Sequence, residues 1–204
     1  MLFEKPKVSV LDIRSFDDEA FYDSVYRTVS DERRKKVDTR RFSKDKRLSL
    51  AAGYLLEKEL TQLGIAVGDI TYGQWGKPSL KGKDICFSLA HSGNYGVCAV
   101  YGKEVGIDIE CIREVSPKRI AAVCTDKEKQ ALSDLDDADL ADRFFRIWTA
   151  KESYLKYLGV GLSQPLATLE TDLAEPMAMR CRGEAVQLTF ESWELDGHRI
   201  TLCF

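Results

Sequence analysis

The feature that most constrains the fold is the mixed order of helical and strand-like segments along 204 residues, with no low-complexity linker between them. The apolar pattern predicts helices over residues 16–29, 31–47, 48–63, 117–133 and 139–158. It predicts strands over residues 7–13, 84–89, 95–101, 104–110, 185–193 and 199–204. The steps Gly93-Asn94, Gly102-Lys103 and Asp196-Gly197 are predicted as turns, and Gly64 as a helix end. This order is typical of an α+β fold.

The composition narrows the class of protein. Hydrophobic residues make up 44% and charged residues 31% of the chain, which is ordinary for a globular protein. The net charge of -3 argues against a general nucleic-acid coat, and no apolar run approaches the roughly 20 residues of a membrane helix. The first residues lack the apolar core of a signal peptide, and the six cysteines form no CxxC pair. We therefore expect a cytoplasmic protein with free thiols that binds neither a membrane nor nucleic acid.

Residues 31–47 form a basic cluster with nine Lys or Arg side chains and four acidic ones. On a continuous helix five of the basic side chains would share one face, namely Arg33, Lys36, Arg40, Lys44 and Arg47. A cationic stripe on an otherwise acidic chain indicates either a site for a polyanionic ligand or a solvated charged helix.

Two carboxylates alternate with isoleucines in the segment GIDIE, residues 106–110. In a strand, Asp108 and Glu110 would point to the same side. Two close carboxylates repel each other unless a cation lies between them, and hard oxygen ligands suit magnesium. The alternative is an edge strand whose acidic residues face solvent.

The segment FFRIWTAKESYLK, residues 144–156, is predicted to be helical. Trp148, Glu152 and Lys156 lie four residues apart and would share one face. Glu152 and Lys156 are then either a surface ion pair or a metal ligand or base beside a phosphate-binding cation.

Two more residues are candidate phosphate donors. Lys77 lies in the loop motif Gly76-Lys77-Pro78, and His91 lies in the strand-end motif FSLAHSG, residues 87–93. The alternatives are a solvated loop lysine and a turn histidine bonded to the backbone.

These motifs occur in a recognisable order. The succession GKP, F-x-[IL]-[SA]-HS-G, G-[IV]-D-I-E and W-x-x-KES-x-x-K-x-x-G-x-G-L resembles that of the 4'-phosphopantetheinyl transferases. The chain is similar to the broad-specificity, monomeric type that activates peptide and polyketide synthetases, rather than to the short trimeric type that serves fatty-acid synthesis. The resemblance extends from about residue 30 to about residue 170.

The resemblance implies two similar α+β halves, residues 1–102 and 103–204, related by a pseudo-twofold axis, with the site in the cleft between them. It implies Asp108, Glu110 and Glu152 as metal ligands, and Glu152, Lys156 and Asp108 as the catalytic set. The residues that it implies for coenzyme A binding are Arg33, Lys36, Arg40, Ser49, Lys77, His91, Lys151 and Lys156.

The resemblance also implies an activity. With Mg²⁺, or Mn²⁺ in its place, the 4'-phosphopantetheine of coenzyme A would pass to a serine hydroxyl of an apo acyl or peptidyl carrier protein, releasing 3',5'-ADP. Ala90 stands where the family usually has serine, which puts one phosphate contact in doubt. Two other functions stay open, a non-catalytic module that binds coenzyme A or carrier protein and a magnesium-dependent phosphoesterase. The presence of all three acidic positions disfavours the module.

Overall fold

Two long helices each pack against a three-stranded antiparallel sheet in the computed structural model, which describes residues 4–67, 70–72, 77–80, 82, 85–161 and 164–204. In the first half α3 (Ser43–Gln62) covers a sheet ordered β1 (Lys7–Asp12), β5 (Tyr95–Tyr101), β4 (Cys86–Ser92). In the second half α6 (Asp137–Leu158) covers a sheet ordered β10 (Phe190–Leu195), β11 (His198–Cys203), β6 (Gly106–Cys111). The two repeated helix–sheet halves confirm the predicted α+β class.

Smaller elements complete each half. The short helices are α1 (Glu19–Thr28), α2 (Asp31–Asp38), α4 (Pro117–Val123) and α5 (Asp126–Leu132), with 3-10 turns at Ile13–Asp17 and Leu166–Thr168. The short strands β2 (Ile70–Tyr72) and β3 (Pro78–Leu80) pair with each other, and β7 (Leu169–Asp172), β8 (Ala178–Cys181) and β9 (Glu184–Ala185) form a further sheet. Among the helices that the structure describes, none has the length and apolar character needed to cross a bilayer.

The strand alternation builds a core between the halves and turns other side chains towards the helices. Val97 of β5, Ile107 of β6 and Ile200 of β11 belong to one buried cluster that joins the two sheets. On the opposite face of the second sheet, Thr201 of β11 shares a 2.7 Å hydrogen bond with Thr149 of α6. Because side chains alternate along a strand, this arrangement decides which residues of β6 and β11 face α6.

Side chains rather than a backbone ladder join β4 to β6 along a seam between the halves. The Ser88 hydroxyl accepts the Ile107 N–H at 3.1 Å, and the Ser92 hydroxyl accepts the Cys111 N–H at 3.2 Å. Both contacts span nineteen residues, so the two strands run in the same direction. The seam therefore places the GIDIE strand beside β4, which carries His91 near its end.

The basic segment differs from its prediction as one helix over residues 31–47. The chain leaves the helix after Asp38 and starts α3 at Ser43. Val37 is fully buried in one cluster with Leu48, whereas on a continuous helix these side chains would lie about 16 Å apart along the axis. Burying both requires the chain to turn, so the proposed common face of Arg33, Lys36, Arg40, Lys44 and Arg47 does not exist.

Several other boundaries were predicted correctly. The strand at 95–101, the helix end at Gly64 and the turn at Asp196-Gly197 are confirmed, and both residues of that turn have positive φ, as a type I' hairpin requires. Residues 16–29 begin in a 3-10 turn and become helical at Glu19.

The predicted helix over 117–133 is two helices, because Thr125 forms a capping box with Glu128 and starts a new one. The strand predicted at 84–89 is observed as β4, and residue 84 lies outside the described residues. The strand predicted at 185–193 is divided between β9 and β10. The strands β7 and β8 were not predicted, because each is only four residues long.

Candidate active site

The centre of the candidate site is Asp108, which β6 turns towards α6. Asp108 pairs in register with Thr201, the residue that contacts α6, and Asp108 is only 6% exposed. Lys156 Nζ donates to Asp108 Oδ1 at 2.6 Å. The alternative of an acidic edge strand facing solvent is therefore wrong for Asp108.

Glu152 lies one helical turn before Lys156, and its acidity is strongly perturbed. Burial raises the pKa of Glu152 from its ordinary 4.5 to about 7, with a further contribution from the negative charge of Asp108 and a smaller one from Glu110. The positive charge of Lys156 opposes this rise. Burial also raises the pKa of Asp108, again against Lys156. These carboxylates are close enough to disfavour one another's charge, which is the electrostatic condition for attracting a cation.

Glu110 is held at the seam between the halves. Its carboxylate accepts the Ser92 hydroxyl at 3.0 Å and lies 3.6 Å from the Arg113 guanidinium. Ser92 therefore ties the GIDIE strand to the strand end that carries His91. The sequence analysis gave Ser92 no role. A signal was present, because strand alternation places Ser92 on the same side of β4 as Ser88, and both hydroxyls contact β6.

The donor set fits a hard divalent cation, although the carboxylates are not gathered into a cluster. No three His, Cys, Asp or Glu side chains in the described part of the chain lie close enough together to hold a metal ion as they stand. Asp108 Oδ2, however, is buried and has no hydrogen-bond partner among these residues. A buried carboxylate oxygen without a partner is costly, and a cation would satisfy it. The other carboxylate oxygen, Oδ1, already accepts a hydrogen bond from the Lys156 ammonium.

Positive charges also converge near His91. His91 is exposed, yet desolvation by the surrounding protein lowers its pKa, and the charges of Lys156 and Arg40 lower it further. Arg33 lies against α3 at Gly53, where a Cβ atom would come within 2.1 Å of Arg33 Nε. Burial lowers the pKa of Arg33, and the charge of Arg40 also lowers it. The structure therefore brings four basic side chains of both halves close enough for their charges to influence one another, although they do not share one helix face. They are Arg33, Arg40, His91 and Lys156.

The remaining residues implied for coenzyme A binding are placed less directly. Lys36 pairs with Glu32 on its own helix at 3.2 Å. Ser49 is buried within α3 at 7% exposure. The roles of both residues stay predictions.

Lys77 of the first half contacts two groups of the second half. Its ammonium contacts the Glu104 carboxylate and donates to the Tyr157 carbonyl at 2.8 Å. Lys77 and Lys156 also border a largely apolar cavity of about 200 Å³. Gly76 of the GKP motif and Leu162 of the G-x-G-L segment lie outside the described residues.

Lys151 does not reach the cleft, in contrast to its predicted role in coenzyme A binding. Its side chain is fully buried, and its ammonium donates to Glu128 at 2.6 Å and to the Val123 carbonyl at 2.8 Å. Glu128 also accepts the backbone N–H groups of Thr125 and Thr171. Lys151 therefore stabilises the packing of α4, α5 and β7 around α6, and we remove it from the proposed coenzyme A ligands. The pattern Thr125-x-x-Glu128 was a sequence signal for the capping role of Glu128, but not for its pairing with Lys151.

We expect Lys151→Met to destabilise the protein by about 3–5 kcal/mol, because it leaves the Glu128 carboxylate buried without its counter-charge. Urea unfolding measures this loss, and Glu128→Gln in the same chain should recover part of it. The matched control is Lys129→Met, which breaks an exposed ion pair with Asp126 and should cost no more than about 1 kcal/mol. Equal stability of the Lys151 and Lys129 variants would contradict the structural role.

Comparison with known proteins agrees with this geometry. Residues 104–203 match the family model of the 4'-phosphopantetheinyl transferase superfamily. The chain is 32% identical over 166 residues to the 4'-phosphopantetheinyl transferase gsp of Aneurinibacillus migulanus, covering 78% of this chain and 69% of the relative. It is 26% identical over 182 residues to the 4'-phosphopantetheinyl transferase Sfp of Bacillus subtilis, covering 86% and 81%.

A third relative is eukaryotic. The L-aminoadipate-semialdehyde dehydrogenase-phosphopantetheinyl transferase of Candida glabrata is 29% identical over 206 residues, covering 93% of this chain and 79% of the relative. The matched region includes the GIDIE strand, Glu152 and Lys156. The chain belongs to the 4'-phosphopantetheinyl transferase family, and its activity is the transfer of 4'-phosphopantetheine to carrier proteins.

Proposed function

We propose that this transfer depends on Mg²⁺ held by Asp108, Glu110 and Glu152, and that Glu152 is the general base towards the serine of an apo carrier protein. The observation that carries the proposal is the environment of Glu152, where burial and, to a smaller extent, the negative charge of Asp108 raise its pKa to about 7. A general base is most effective when its pKa lies near the working pH. The unpartnered Asp108 Oδ2 supports the metal assignment.

The positive charges around the seam account for binding of coenzyme A. Coenzyme A carries a pyrophosphate and a 3'-phosphate, and charge-assisted hydrogen bonds from Arg, Lys or His are the strong contacts to such groups. Lys156 lies beside the carboxylates and is assigned to the pyrophosphate. His91, Arg40 and Arg33 are assigned to the 3'-phosphate, because the charge of Arg40 acts on both of the others.

The chain's own residues then perform the chemistry in a simple order. Glu152, directly or through a water molecule, takes the proton of the carrier serine, and the serine oxygen attacks the β-phosphorus of coenzyme A. Lys156 stabilises the charge that develops on the departing 3',5'-ADP. When bound, magnesium supplies Lewis-acid charge at the pyrophosphate. The burial of Asp108 strengthens these electrostatic interactions.

We also propose residues 1–102 and 103–204 as the two halves, with the site at their seam. The connection between β5, which ends at Tyr101, and β6, which begins at Gly106, is the point where the chain passes from the first sheet to the second.

The direct test is the intact mass of an apo carrier protein after incubation with the enzyme, coenzyme A and Mg²⁺. We expect the mass to increase by one 4'-phosphopantetheine and 3',5'-ADP to appear in equal amount. Tight binding of coenzyme A without a mass increase on any carrier tested would favour the non-catalytic module. Release of free phosphopantetheine without a protein acceptor would favour the phosphoesterase.

The assignment of the 3'-phosphate gives a prediction of its own. Arg33→Ala and Arg40→Ala should each weaken the binding of coenzyme A about tenfold or more, because a charge-assisted hydrogen bond contributes roughly 1.5–3 kcal/mol. The binding of dephospho-coenzyme A, which lacks the 3'-phosphate, should change much less. Calorimetric titration of both ligands measures the difference.

The matched control for these variants is Arg27→Ala. Arg27 is exposed on α1, where it pairs with Asp23, so its loss should affect neither ligand. An equal loss of affinity for both ligands in the Arg33 and Arg40 variants would show that these arginines do not read the 3'-phosphate.

A further inference from the structure

His198 is a buried histidine beneath the turn that follows His91. It begins β11 and is only 5% exposed. Its Nδ1 lies 2.8 Å from the Asp196 carbonyl oxygen, so Nδ1 carries the proton of the neutral ring because a carbonyl can only accept. Its Nε2 is buried and has no hydrogen-bond partner in the part of the chain that the structure describes. The mechanism above gives this ring no role.

The ring fills the space beneath Gly93. A Cβ atom at Gly93 would lie 2.0 Å from His198 Nε2, so only glycine fits this contact without displacing either group. Gly93 has φ +57° and is the first residue of a two-residue hairpin turn, the position that a type II' turn reserves for glycine. The turn therefore lies directly on the imidazole.

This turn carries the residues that connect coenzyme A to the carboxylates. His91 and Ser92 immediately precede Gly93, and Ser92 contacts Glu110. Tyr95 immediately follows the turn and packs edge-on against the His198 ring, with 5.0 Å between the ring centroids. A shift of His198 would thus pass directly to the strand end that carries His91.

Hydrogen bonds from both halves hold the hairpin that carries His198 against the turn at Gly93. The Asp196 carboxylate accepts hydrogen bonds from the Tyr95 hydroxyl and from Arg14, both at 2.9 Å. Arg14 also donates to the Tyr95 hydroxyl at 2.8 Å, and the Asn94 carbonyl accepts the Ile13 N–H at 2.8 Å. His198 is therefore held against the turn by a hydrogen-bonded network, rather than by packing alone.

We propose that His198 is a positioning residue for coenzyme A, which supports Gly93 from below and so holds His91 where it meets the 3'-phosphate. The inference rests on the proposed contact between His91 and that phosphate. Binding groups that are displaced by about 1 Å can lose much of their effect, so a residue without ligand contact can control the affinity. Loss of the ring would let the turn sink towards β11 and carry His91 with it.

The test is the kinetics of His198→Ala with coenzyme A and with dephospho-coenzyme A, using an apo carrier protein as acceptor. We expect KM for coenzyme A to rise about tenfold, as for one lost charge-assisted hydrogen bond, while kcat with coenzyme A changes little. With dephospho-coenzyme A, both kcat and KM should change little. Similar losses with both ligands, or a fall in kcat alone, would overturn the proposal, because a general structural defect would not distinguish the two ligands.

A second variant keeps the test decisive if His198→Ala folds poorly. Gly93→Ala places a methyl group against Nε2 and should produce the same loss specific to coenzyme A. Its control is Gly64→Ala, which also has a positive φ, +68°, but nothing within 4 Å of the new Cβ, so it reports the effect of alanine at a positive φ without the contact. Equal kinetics of the Gly93 and Gly64 variants would overturn the proposal.

A His91→Ala background separates this inference from the proposed function. If His198 acts through His91, His198→Ala should add no further loss in the double variant. If His91→Ala keeps the wild-type preference for coenzyme A over dephospho-coenzyme A, the assignment of His91 is wrong and the inference falls with it. If His91→Ala loses that preference while His198→Ala keeps it, the inference alone is wrong.

Discussion

Asp108→Asn is expected to lower the rate of transfer by about a hundredfold or more, because it removes a proposed metal ligand. Asparagine keeps the shape of the side chain but removes the charge that Lys156 and a bound cation share. We expect the fold to be retained, because burial already disfavours the charged form of Asp108 and the Lys156 side chain, at 29% exposure, can reach water. Single-turnover transfer to an apo carrier protein measures the rate, and thermal unfolding measures the fold.

The control for this variant is Asp142→Asn, a neutral replacement on α6 outside the carboxylate group. Asp142 pairs with Arg199 and is 40% exposed, so its replacement should leave transfer unchanged. Excess EDTA should reduce the wild type to the level of Asp108→Asn, and Mg²⁺ should restore only the wild type. Full transfer by Asp108→Asn, or by the wild type in excess EDTA, would contradict the metal assignment.

Sequence patterns predicted the parts of the fold that depend on neighbouring residues. The strand at 95–101, the long helix that ends before Gly159 and the hairpin at Asp196-Gly197 each follow from local periodicity and turn chemistry. The division of the basic segment into α2 and α3 depends instead on burying Val37 against Leu48, a tertiary contact that no local pattern contains.

The same distinction applies to the candidate site. The resemblance to the 4'-phosphopantetheinyl transferases, carried by the GIDIE and KES motifs, was enough to associate Asp108 with Glu152 and Lys156. Lys151, next to Glu152 in sequence, points instead into the protein, because α5 presents Glu128 there. The contact of His198 with Gly93 depends on two hairpins, more than a hundred residues apart in sequence, that meet across the seam.

Glu152→Gln is expected to lower the single-turnover rate by roughly a hundredfold or more, in line with loss of a general base. Glutamine keeps the shape of the side chain and removes both its charge and its basicity. Coenzyme A binding should fall much less, because Lys156 and the arginines of the first half retain their charges and the substitution does not alter His91. Without a bound metal the pKa of Glu152 is about 7, and a cation bound beside it would favour the deprotonated form that can accept the proton of the carrier serine.

The same substitution should stabilise the metal-free protein, measured in excess EDTA, at pH 8. The pKa of Glu152 is about 7 in the folded state and its ordinary value is 4.5, so between these values the folded state keeps a proton that the unfolded state has lost. The free energy of unfolding of the wild type therefore falls as pH rises from about 4.5 to about 7 and stays low above that range. Glutamine does not ionise, so the variant escapes this loss and should melt at a higher temperature than the wild type at pH 8 but not at pH 4.

The two effects together distinguish a catalytic base from a surface carboxylate. Glu194→Gln is the matched control, because Glu194 lies on β10 in a 3.7 Å pair with Arg199 and is largely exposed, with a side-chain accessibility of 55%. That change should alter neither the rate nor the pH dependence of unfolding. A Glu152→Gln variant that is slower but no more stable at pH 8 would mean that burial does not disfavour the charged form of Glu152. A variant that transfers at the wild-type rate would mean that Glu152 is neither the base nor an essential ligand, and the proton of the carrier serine would have to go elsewhere.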